Sequence, residues 1–126
     1  MKLRLVVLVC IALVALVGFS LVRAGTARAQ TTDECVHQPT IESLEACVQH
    51  AADQGFIDNQ GVTNSLFAKL GAAQAAFDRG QTGTAINLLN AFINEVQAQA
   101  GKHIDQMHAE HMVMHAQMVI RALKNE

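Results

Sequence analysis

The chain predicts an all-α fold, a small antiparallel four-helix bundle following an N-terminal signal peptide. Three observations predict it. Val62, Leu66, Leu70, Ala73 and Phe77 recur at steps of four, four, three and four, the period of a helix and not of a strand. Gly55, Gly80 and Gly101 punctuate the chain after such stretches, where a left-handed residue ends a helix. The composition has five Phe, one Pro and neither Trp nor Tyr. A core must then be built from Leu, Ile, Val, Ala and some Phe, which suits helices better than packed strands.

Residues 1–29 read as a targeting segment and lie outside the bundle. Lys2 and Arg4 make a basic start, Leu5 to Val22 is almost wholly apolar, and Ala27-Arg28-Ala29 has the small-x-small pattern of a signal peptidase site. Cleavage is expected before Gln30. The alternative is an uncleaved anchor, because the apolar run just reaches spanning length. Either way the remainder, 30–126, is expected to be secreted or extracytoplasmic, and membrane contact is expected only if the segment stays attached. Losing Lys2, Arg4, Arg23 and Arg28 from the nine basic residues leaves five against eleven Asp and Glu, a formal charge of −6. An acidic domain without a basic stripe argues against nucleic-acid binding and against docking on anionic lipid.

The helices follow in order. Gln30 to Glu34 is a polar leader. Thr40 caps the first helix, Glu42 sits in its first turn, and Ile41, Leu44, Val48 and Ala51/Ala52 form its apolar side, up to Gly55. Asp58 or Asn59 caps the second, which carries the Val62 to Phe77 stripe and stops at Gly80. The third begins at Gln81-Thr82 and carries Ala85/Ile86, Leu89, Phe92/Ile93, Val96 and Ala100. The short turn before it makes it the antiparallel neighbour of the second. After Gly101, Asp105 caps the last helix, Ile104 staples onto Ala109, and Met112, Ala116, Val119, Ile120 and Leu123 form its core side.

The words NSLFAKL, AINLLNAFINEV and GKHI within Gly61 to Ile104 resemble the FIMAH-type helical domain of secreted bacterial proteins. The resemblance covers residues 57–123. It implies a short helical module with no assigned catalytic activity, of a kind that usually sits at the C-terminus of larger secreted proteins, including hydrolases. It therefore implies an accessory or interaction role. No enzyme domain precedes the module in this sequence, so export nearly alone is the expectation.

Cys10 falls in the apolar run without a lipobox and is given no role. Cys35 and Cys47 remain, an even number in an oxidising compartment, and are expected to form a disulfide. The competing use is a zinc site, Cys35-x-His37 with Cys47-x-x-His50, although the first spacing is tight for a zinc finger. A Cys47/His50 nucleophile pair has no orienting third residue or oxyanion hole nearby in the sequence.

Four of the six His and four of the five Met lie between His103 and Met118, in KHIDQMHAEHMVMHAQM. On a helix His108, His111 and His115 fall within about 60° of one another. Met107, Met114 and Met118 form an adjoining strip, and Met112 faces the core. The candidate metal residues are His108, His111, His115, Met107 and Met114, a donor set that suits copper or zinc. One straight helix converges three ligands imperfectly, so a fourth must come from another helix or a second molecule. The bland alternative is boundary histidines and methionine as core filler or a docking face. HAEHMVMH lacks the H-E-x-x-H order of a metalloprotease.

No catalytic constellation emerges. Ser43 and Ser65 have no partnered His and Asp, and the cysteines make no C-x-x-C. The expected function is an exported non-catalytic helical module recruiting a protein or cell-envelope partner, with no cofactor. The alternative is an extracytoplasmic copper or zinc binding protein using the His/Met face of the last helix.

Overall fold

A computed structural model of the protein describes residues 35–125. The expected signal peptide over 1–29, Cys10 and the polar leader 30–34 lie outside the described residues. Within them the chain forms four helices, α1 (Ile41–Asp53), α2 (Gln60–Asp78), α3 (Thr82–Gln99) and α4 (Gln106–Leu123). Each helix packs on its neighbours in sequence, and α4 closes back onto α1. This is the all-α antiparallel four-helix bundle that the apolar periods predict.

The caps explain where the helices start. Thr40 accepts the Ser43 backbone N–H at 3.2 Å. Asn59 rather than Asp58 caps α2, accepting the Val62 N–H at 3.1 Å. Asp105 accepts the backbone N–H groups of Met107 and His108 at 3.1 and 3.2 Å. Each bond satisfies a donor left without a partner in the first turn. At Gly80 and Gly101 φ is 70° and 69°, a region that costs a residue with a Cβ roughly 1 kcal/mol or more.

The core contains the expected stripes with two changes. Leu44, Val48, Leu66, Leu70, Leu89, Phe92, Val96 and Val119 are fully buried. On α2 the last core residue is Ala76, while Phe77 packs only partly against the core. The helix therefore turns its smaller side chain inward near its end. On α4 the buried face includes His115 as well as Met112, Ala116 and Val119. Between α2 and α3, Lys69 pairs with Glu95, and Ser65 joins both by hydrogen bonds of 2.9 and 3.0 Å.

The loops at one end are also tied together. Asp58 N–H donates to the His103 carbonyl at 3.1 Å and Asp105 N–H to the Phe56 carbonyl at 2.9 Å. This isolated bridge pairs Ile57 with Ile104, both buried. It fixes the α1–α2 loop against the α3–α4 loop, directly before the helix that carries the histidine row.

Candidate functional site

The segment Cys35–Thr40 precedes α1 and forms a strap. Cys35 and Cys47 are joined in a disulfide with a Cα–Cα distance of 5.1 Å. The Ser43 hydroxyl donates to the Val36 carbonyl and accepts from the Gln38 N–H at 3.1 Å. The strap thus returns onto α1 through one covalent link and one serine. The Gln38 carbonyl also accepts from His115 Nε2 on α4, 77 residues away, at 2.6 Å.

These ties enclose a recess of about 230 Å³ lined by five histidines, the disulfide, Ala51 and Met112. His37 comes from the strap, His50 from α1, and His108, His111 and His115 from α4. The ring centroids of His37 lie 4.9 Å from His115 and 6.3 Å from His111, and those of His108 and His111 are 6.4 Å apart. Imidazoles from outside α4 therefore reach the recess from the strap and from α1.

His115 is the most constrained of the five, with 0% of its surface exposed. Burial pushes its imidazole below the ordinary histidine value. The hydrogen bond to Gln38 opposes that shift, and the nearby His37 adds to it. A carbonyl can only accept, so Nε2 carries the proton and the lone pair of the neutral ring sits on Nδ1. That buried Nδ1 has no hydrogen-bond partner among the described residues. Buried polar atoms are nearly always partnered, so an orphan of this kind requires an explanation.

His108 is positioned differently. Its ring stacks on Phe56 with centroids 3.6 Å apart. Its Nδ1 lies 2.8 Å from the Asp105 carboxylate. The His108 hydrogen bonds are the largest cause holding the Asp105 carboxyl below the usual carboxylate range. An ionised Asp105 accepts from Nδ1–H and leaves Nε2 of His108 available.

The predicted site residues divide. His108, His111 and His115 line the recess, whereas Met107 and Met114 do not. Met107 is 58% and Met114 51% exposed. Met114 instead borders a separate cleft between α3 and α4, with Val113, Ala100 and Gln97. The thioether that does reach the histidine recess is Met112. Cys35 Sγ, His37 and Cys47 Sγ lie within 4.8 Å of one another, but the disulfide leaves no thiolate for the Cys-His zinc arrangement. His37 and His50 were legible only as neighbours of cysteines, and Asp105 only as a cap.

Comparison with curated proteins and with solved structures returns no match. Among protein families the FIMAH domain matches residues 41–121, from the first residue of α1 to the last turn of α4. This is more than half of the chain, and it includes α1, which lies before the 57–123 span on which the resemblance rested. The described chain is thus a helical bundle with a histidine-lined recess at its α1–α4 seam, and it belongs to the FIMAH domain family.

Proposed function

We propose that the protein is an exported, non-catalytic binding module that recruits a protein or cell-envelope partner. The observation that carries this reading is the outer side of α4. Met107 and Met114 are exposed there and lie seven residues apart, so they fall on one side of the helix. Beside Met114 is a cleft lined by Val113 and Ala100 and edged by Gln97, Gln106 and Gln117. Flexible thioethers adapt to a partner's apolar side chains, and amides around them satisfy its backbone. An amphipathic helix of the partner fits this chemistry. The disulfide supports export, since such bonds persist in oxidising compartments.

The test is capture from the exported fraction by the wild type and by a Met107→Ser/Met114→Ser variant. The specific partner should be lost from the variant while its melting temperature stays within about 2 °C, as expected for surface changes. Equal capture by both proteins would contradict a partner site on this face.

Binding of copper or zinc is the second reading, and the five-histidine recess favours it. The two readings use adjoining strips of α4, with His111 at their border, and are compatible in one molecule.

A further inference from the structure

We infer that the recess between the strap and α4 is a divalent transition-metal site in which His37, His111 and His115 supply the ligands. This inference rests on the metal-binding reading and changes its ligand set. It moves the site from one helix face to a junction of two distant segments, and it replaces Met107 and Met114 with a histidine of the strap.

Four observations support the assignment. First, His115 is arranged as a ligand before any ion arrives. Metal-binding imidazoles characteristically donate one ring N–H to a carbonyl or carboxylate, which fixes the tautomer and leaves the other nitrogen to the ion. His115 donates Nε2–H to the Gln38 carbonyl at 2.6 Å, and its buried Nδ1 is unpartnered among the described residues. Second, the ring spacings suit a shared ion. Two imidazoles bound at an M–N distance of about 2.0–2.1 Å have centroids roughly 5–6 Å apart. The His37–His115 separation of 4.9 Å fits this spacing, while His111, 6.3 Å from His37, joins the same ion by a rotation of its exposed side chain.

Third, the recess grades from buried to open. His115 is fully enclosed, while His37 and His111 are exposed at the mouth, so an ion has an entry route. His108 stands next in the row, oriented by Asp105 in the same donor-acceptor manner, and is available as a fourth ligand. Fourth, the donor type selects the metal. With Cys35 and Cys47 bonded to each other, the converging donors are five imidazoles against one thioether, that of Met112, and no thiolate. Such a set favours Zn(II) and Cu(II) over Cu(I), which prefers sulfur.

The test uses the untagged full-length protein with its disulfide intact, stripped with chelator and titrated calorimetrically with Zn(II) and with Cu(II). One equivalent should bind. His37→Ala, a change at an exposed strap position, should weaken binding at least about tenfold without loss of helical signal. Met107→Ser/Met114→Ser should bind as the wild type does. Independently of any variant, the electron paramagnetic resonance spectrum of the Cu(II) complex should show coupling to three or more nitrogens.

No saturable binding by the wild type would overturn metal binding altogether. Wild-type affinity in His37→Ala, or coupling to a single nitrogen, would overturn this ligand set while leaving a metal on α4. Loss of binding in the double methionine variant would return the site to the thioether face and overturn the inference as well.

Discussion

At the scale of single residues, His115 carries the most information. It sits fully buried at a helix seam, with one ring nitrogen bonded to the strap and the other unpartnered among the described residues. Its folded-state pKa lies below the ordinary value. Below about pH 6.5, where a free histidine takes up a proton, the unfolded chain binds more protons at this position than the folded one. Stability is therefore fully present above that pH and falls as pH drops through the window down to the lowered folded value. In chelator, the melting temperature of the metal-free protein should fall between pH 7.5 and 5.5, and a His115→Gln variant should show a smaller fall. An equal fall in both would mean that other groups set the acid sensitivity. The spacing of His108, His111 and His115 placed all three on one face. It did not distinguish the buried member from the exposed one. His115 is the member bonded to the strap, through the Gln38 carbonyl.

At the scale of elements, much of the structure was legible. The stripes on α2, α3 and α4 are strictly helical in period, and the glycines at 80 and 101 do take the positive φ that ends a helix. The strap was legible only as two cysteines. Whether it closes the recess depends on the Gln38–His115 bond, whose partners are 77 residues apart, and no local pattern reports such a pairing. Phe77 is only partly buried, and spacing alone does not rank it against Ala76, the residue that the fold buries. The Cys35–Cys47 loop has a separation of 12 residues, and closing it contributes about 3 kcal/mol in the chain-entropy model. For a domain of this size that corresponds to roughly 12–24 °C in melting temperature. Reduction should lower the midpoint by about that amount, and an unchanged midpoint would show that the strap adds nothing to the bundle.

At the scale of the whole molecule, the two proposed sites occupy adjoining strips of α4. One strip turns Met107 and Met114 outward. The other joins the strap and α1 around five histidines. The FIMAH family core provides the frame for both. The words that carried the resemblance lie in α2, α3 and the loop after α3, whereas the family match spans all four helices and so takes in the α1–α4 seam where the recess lies. The central claim is that folding brings the strap's His37 and α4's His115 together around one ion. Nitrogen-15 NMR of the imidazole rings tests this most directly. In metal-free protein, His115 should be the Nε2–H tautomer with an unprotonated Nδ1. On addition of one equivalent of Zn(II), that Nδ1 resonance and one ring nitrogen of His37 should shift together. A protonated Nδ1 in the free protein, or no shift at His37 and His115 with Zn(II), would contradict the account.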